Sequence, residues 1–269
     1  MIDYHVHSDC SGDCSAAMID VCRAAVARGV KAICFTEHLD FEPTDSCFNA
    51  FDYCLFMARI AEVRESMAGV IEIRAGIEVD FQSKFRAEIS EFLADKDFDY
   101  VLGAAHYVNG VILEDHDRYF PGKSAEEAYT PYFDNSLAAV ETGWFDALAH
   151  LDLCKRYGVR YYGALDWDPY RERIEQILRA VIEQGMALEI NTSGLRQSPG
   201  ETYPCRGMLE LYYALGGRAI IVGSDSHRVE DVGGGIADAL ELAQSIGFDS
   251  VRVFADRQAA PIPITSLRR

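Results

Sequence analysis

Residues 1–15 read MIDYHVHSDCSGDCS. Ile2, Tyr4 and Val6 alternate with polar residues, the period of a short strand, and on a strand His5 and His7 project from the same face. Two imidazoles that close either repel as cations or share a metal ion. What comes after the strand decides the fold. A doubly wound α/β sheet carries a glycine-rich phosphate turn at this point, whereas this chain carries HSDCSGDCS. A barrel is favoured.

Working outward, strand-like and helix-like segments alternate along the chain. SAAMIDVCRAAVARG (15–29) sets Met18, Val21, Cys22 and Ala25 on one helical face, with Ser15 as N-cap and Gly29 as the stop. The apolar strand VKAICFTEH (30–38) follows, then a helix from about 51 to 67 and the strand VIEIRAGIEVDF (70–81). KFRAEISEFLADK (84–96) is helical and FDYVLGAAH (98–106) a strand. AEEAYTPYFDNSLAAVETG (125–143) is helical, with Pro131 expected to kink or divide it. FDALAH (145–150), MALEIN (186–191) and RAIIVGSDSH (218–227) are strands separated by helices at 171–185 and 207–217. A last helix (229–247) precedes a weaker strand, VRVFA (251–255). Apolar, β-branched strands separated by amphipathic helices predict a parallel sheet covered by helices. Seven strong strands and a weak eighth predict a (β/α)8-type barrel, complete or distorted. With no linker, repeat or low-complexity tract, residues 1–269 are expected to form one domain.

Nearly every strand ends in a residue able to bind metal. The tips supply His5 and His7, Glu37 and His38, Glu78 and Asp80, His106, His150 and Asp152, Glu189 and Asn191, then Asp225 and His227. In a barrel these tips converge on one mouth, where barrel active sites are built. A lone strand-end histidine is usually a hydrogen-bonded residue at the core edge, and Glu78 or Asp225 alone could cap a helix. Six of seven histidines at the same end of one sheet call for a common binder, and a divalent cation is one. Mixed imidazole and carboxylate donors suit zinc, manganese or iron better than calcium or magnesium.

The formal charge of −18 argues against nucleic-acid or anionic-membrane partners. No apolar run is long enough to span a bilayer, and the start lacks a signal-peptide pattern, so a cytoplasmic setting is expected. The eight cysteines form no CxxC and read as reduced thiols.

HVHSDCSGD at the start resembles the HxHxxxSxD motif of the PHP (polymerase and histidinol phosphatase) superfamily, and of its histidinol-phosphate phosphatases in particular. FTEH, GIEVDF, FDYVLGAAH, AHLDL, EINTSGLR and GSDSH are similar to the family's remaining blocks, in the same order, from residue 2 to about 228. The resemblance implies a distorted (β/α)7 barrel, TIM-like, with three divalent metal ions (Zn, Mn or Fe) at its mouth. One ion would take His5, His7, Glu78 and Asp225; a second would share Glu78 and take His106 and His150; the third would take Asp13, His38 and His227. Some relatives carry a histidine in place of Asp13.

Three such ions bring +6 against −3 from Glu78, Asp13 and Asp225, leaving about +3 before any bridging hydroxide. That local charge would accept a phosphate dianion in an acidic protein, because screening confines surface charges to roughly 8 Å. Arg156 and Arg196 sit where the family places phosphate clamps, and a guanidinium matches phosphate oxygens in pairs. The expected activity is hydrolysis of a phosphate monoester, L-histidinol phosphate by resemblance, through attack of a metal-bridging hydroxide. Glu37 and Asp152 are expected to orient the histidine ligands. Asp80, Asp152 or a water would serve as the acid, and Asp40, Glu42, Asp115 and His116 would line a slot for the ammonium and imidazole groups. The competing readings are a PHP phosphatase for phosphotyrosine or nucleotides, a non-catalytic PHP module in a larger complex, and an amidohydrolase. The last commonly needs a carboxylated lysine, and no strand tip here offers one.

Overall fold

The computed structural model describes residues 1–267. Seven parallel strands lie in chain order in one sheet: β1 (Ile2–Val6), β2 (Ala32–Leu39), β3 (Glu72–Asp80), β4 (Tyr100–Ala104), β5 (Ala147–Leu148), β6 (Ala187–Asn191) and β7 (Ile220–Gly223). The Asp225 amide donates to the His5 carbonyl at 2.7 Å and the His7 amide to the Ser226 carbonyl at 3.0 Å, so the exit of β7 joins β1. The sheet thereby curls into a nearly closed barrel wrapped by helices, the expected distorted (β/α)7 form.

The helices form where apolar residues recur at helical spacing and a cap stops fraying. Arg171–Glu183 buries Ile174, Ile177, Leu178 and Val181 against the barrel. Asp52 caps Tyr53–Ser66 by accepting from the Leu55 amide at 3.0 Å, and Ser124 with Glu127 forms a capping box on Ala125–Val140. Two local expectations change. The first helix begins at Met18 with Ala17 at the cap position, and Ser15 makes no capping bond, because residues 9–16 form a loop closed by the Asp9 amide on the Ala16 carbonyl at 2.8 Å. Pro131 does not divide Ala125–Val140, since buried Ala128, Tyr129, Tyr132 and Phe133 hold both halves of the helix against the core.

The weak eighth strand stays outside the barrel. Ser250–Ala255 pairs antiparallel with Gln258–Pro263 around a turn at Asp256 and Arg257, both at positive φ. This hairpin covers the N-terminal end of the barrel. The Phe254 ring lies 5.0 Å from that of Tyr100, and the Tyr4 hydroxyl donates to the Phe254 carbonyl. The Asp256 amide donates to Asp99, which also accepts from the Ala75 amide and Arg64. Arg257 clasps Asp146, whose other donor is the Val101 amide.

Candidate metal centre

The opposite end of the barrel is open, with a cavity of about 550 Å³ at the strand tips. The register of β2 on β3 sets His38 directly beside Glu78. Two-residue extensions beyond β4, β5 and β7 bring in His106, His150 and Asp225, and His227 follows. His5 and His7 are wholly buried under the cavity floor. His150 (φ 21°) and Asp225 (φ 51°) adopt left-handed backbone, a conformation that costs non-glycine residues energy and clusters at functional sites.

These side chains fall into three groups around Glu78. In the first, His5 Nε2 lies 3.1 Å from His7 Nε2 and 3.2 Å from Glu78 Oε2, while Asp225 Oδ1 lies 3.7 and 3.6 Å from the two rings. In the second, Glu78 Oε1 lies 2.9 Å from His150 Nε2 and 3.5 Å from His106 Nε2, with the rings' nitrogens 3.3 Å apart. In the third, Asp13 Oδ2 lies 3.1 Å from His227 Nε2 and 3.5 Å from His38 Nε2, and those nitrogens are 3.3 Å apart. Donors bonded at 2.0–2.1 Å to one tetrahedral zinc stand about 3.3–3.4 Å apart, so each group has the spacing of a ligand set. Glu78 Oε2 is buried and makes no hydrogen bond, though His5 Nε2 and His38 Nδ1 stand 3.2 and 3.1 Å away. A carboxylate oxygen aimed at ring nitrogens without bonding them fits a cation between them.

The electrostatics agree with the geometry. Burial opposes charge on His5, yet Glu78, Glu189 and Asp225 raise it well above the usual imidazole range. His38 is raised likewise, against burial, by Glu78 and Asp13, and His106 to about 9 by Glu78. Burial and the neighbouring His227 and His38 hold His7 well below that range, so its ring is neutral. Glu78 and Asp225 stay ionised despite burial because histidines surround them. Protons here occupy positions that divalent cations would fill with more charge.

The residues that fix the rings differ in part from those expected. Glu189 Oε1 holds His5 Nδ1 at 2.6 Å, while its Oε2 accepts from the His150 amide at 2.9 Å and from Asn191. Asn191 and Ser193 both donate to Asp225 Oδ2 at 3.2 Å, and Ser11 Oγ lies 3.2 Å from His7 Nδ1. Gly223 makes room for this set, since a Cβ there would stand 2.3 Å from that of His5 and 2.6 Å from Glu189 Oε1. Glu37 instead binds the Ser8 amide and hydroxyl, and Asp152 binds Lys155 and the Cys205 amide. Neither touches a histidine ring.

Arg156 and Arg196 both line the cavity. Arg196 donates to the Ser224 carbonyl at 2.8 Å and faces Asp231 at 3.4 Å, and Arg156 lies over the Tyr157 ring. Asp115 and His116 are not brought into the cavity. His116 meets the Tyr161 hydroxyl and Arg160 instead, leaving Glu114 as the acidic residue of that segment on the wall. Glu42 pairs with Lys84 outside the lining, whereas Asp40 is on it, and burial with nearby Asp80 pushes Asp40 up to about 7. Tyr157, Asp45 and Glu114 are wall residues that sequence reasoning missed, because the helix and loops that carry them hold no metal-ligand pattern. The eight cysteines are unpaired, and among the described residues no helix is long and apolar enough to cross a membrane.

The chain is similar to known proteins over most of its length. A model of the PHP domain matches residues 3–193. The chain is 30% identical to the histidinol-phosphatase of Lactococcus lactis subsp. lactis over 94% of each chain. It is 29% identical to a probable histidinol-phosphatase of Deinococcus radiodurans, covering 97% of this chain and 99% of that one. The crystal structure of the Lactococcus lactis histidinol phosphate phosphatase, complexed with zinc, L-histidinol and phosphate, superposes with a TM-score of 0.89 at 28% identity. That match covers 96% of this chain and 98% of the other.

Proposed function

The chain belongs to the PHP domain family, and from that premise we propose that it is a metal-dependent phosphomonoesterase hydrolysing L-histidinol phosphate to L-histidinol and phosphate in the cytoplasm. The observation that carries this reading is the set of three donor groups at ligand spacing, two of them sharing Glu78, at one cavity with Arg156 and Arg196. The relatives named histidinol-phosphatase, matched end to end, support the substrate.

His5, His7, Glu78 and Asp225 would hold one divalent ion, Glu78, His106 and His150 a second, and Asp13, His38 and His227 a third; zinc fits, as do manganese and iron. Such ions supply Lewis acidity toward phosphoryl oxygens and a water acidic enough to ionise near neutral pH. The protein supplies position. Glu189, Asn191, Ser193 and Ser11 hold the donors in place before substrate arrives, so little reorganisation is needed as charge shifts. Arg196 is steered by Ser224 and Asp231, and Arg156 by Tyr157, so both guanidiniums are available to the anionic ester oxygens at the rim.

The test is phosphate release from L-histidinol phosphate, phosphotyrosine and a nucleotide, before and after chelation and with Zn, Mn or Fe restored. The expected result is a metal-dependent preference for L-histidinol phosphate. Full activity in metal-free protein would refute the metal requirement, and preference for either other ester would refute the substrate.

A further inference from the structure

Beside the three donor groups, the cavity wall carries other carboxylates. Asp40, just past β2, and Asp45 place oxygens within 4.8 Å of one another and of Cys47 Sγ, and Asp40 is equally close to donors of Asp80 and His106. Asp45 is anchored by the Tyr107 hydroxyl and the Cys47 amide, each at 2.6 Å. Asp40 is only 6% exposed, lines the cavity, and makes no side-chain hydrogen bond or ion pair with any described residue. Lys84 is engaged by Glu42. A buried carboxylate with no donor is unfavourable unless something binds it from the open side.

We propose that Asp40, backed by Asp45, receives the ammonium group of the substrate and thereby selects phosphate esters of amino alcohols. This deepens the phosphatase reading and rests on it. A fourth divalent ion fits this wall less well. Both Asp80 oxygens already accept hydrogen bonds, from the His106 amide at 2.7 Å and Gln82 at 2.9 Å, and His106 Nε2 faces Glu78 and His150. An ammonium group, with three donors and no coordination geometry to satisfy, can use one free carboxylate and reach a second. The closeness of Asp40 to His106 sets the cationic pocket against the second donor group, as an amine on the carbon next to the ester carbon requires.

The experiment compares kcat/KM for L-histidinol phosphate and for its analogue lacking the amine, 3-(imidazol-4-yl)propyl phosphate, in the wild type, Asp40→Asn and Asp45→Asn. One charge-assisted hydrogen bond corresponds to roughly 10- to 100-fold. The wild type should favour the amine by about that factor, and Asp40→Asn should collapse the ratio toward one, mainly through KM, with a smaller fall for Asp45→Asn. A purely structural or metal-binding role would lower both esters together and leave the ratio unchanged, which would overturn the proposal; metal content of each variant is measured alongside. Should the wild type prefer some other phosphoester to L-histidinol phosphate, the substrate reading fails separately. The same ratio taken with phosphoethanolamine and ethyl phosphate then decides the role of Asp40, and a wild-type ratio near one in both pairs overturns it.

Discussion

The two ends of the barrel treat buried carboxylates in opposite ways. At the hairpin end, Asp99 accepts from Arg64 and from the Ala75 and Asp256 amides, and Asp146 from Arg257 and the Val101 amide. Each negative charge there is met by donors from the chain itself. At the open end, buried Glu78 and largely buried Asp225 face imidazole nitrogens, as does the exposed Asp13, one Glu78 oxygen bonds nothing, and the Asp40 carboxylate accepts no hydrogen bond from a described residue. The contrast separates a surface that completes itself on folding from one that is completed by what it binds. This division agrees with barrel enzymes generally, in which the N-terminal face serves stability and the C-terminal face chemistry.

The comparison would break most visibly at its centre. Glu78→Gln removes the shared charge, and turnover should fall by about three orders of magnitude or more, with bound metal reduced in elemental analysis; full turnover with unchanged metal content would remove Glu78 from its place. Arg196→Ala should lower kcat/KM by roughly 100-fold, with Arg196→Lys recovering only part, since a lysine keeps the charge and loses the fork; steady-state kinetics reads this directly. At the closed end the sign of the effect changes from activity to stability. Arg257→Ala leaves Asp146 buried without its cation, costing about 1–3 kcal/mol in denaturant unfolding, while turnover per folded molecule stays within about twofold of the wild type. The smallest effect belongs to His116→Ala, which should change kcat/KM by less than about twofold because the ring is held by Tyr161 and Arg160 and meets the cavity lining only through its stacking on Tyr157, 6.4 Å between centroids.

These differences also mark what could be seen in the sequence. The donor residues were legible because parallel strands of one sheet finish at the same end, so His5, His38, Glu78, His106, His150, Asp225 and His227 could be gathered without knowing any distance. The closed end was not legible. VRVFA has the composition of a barrel strand, and only the junction of β7 with β1 leaves it to pair with the residues after it. The cavity wall was half legible: Asp40 follows directly from a strand tip, but the chain enters a short helix at His116, packing that ring against Tyr161 and leaving Glu114 on the wall. The orienting roles of Glu37 and Asp152 failed for a similar reason. Strand direction says which rim a side chain approaches, and the neighbours it meets there depend on loops such as 201–205, which brings the Cys205 amide to Asp152.

Glu189 carries a mechanical consequence. Standing on β6, it ties the ring of His5 on β1 to the backbone at His150 beyond β5. It acts as a spoke across the rim, so the walls on either side cannot spread apart one at a time. Widening the mouth between β1 and β5 would have to break one of these two bonds.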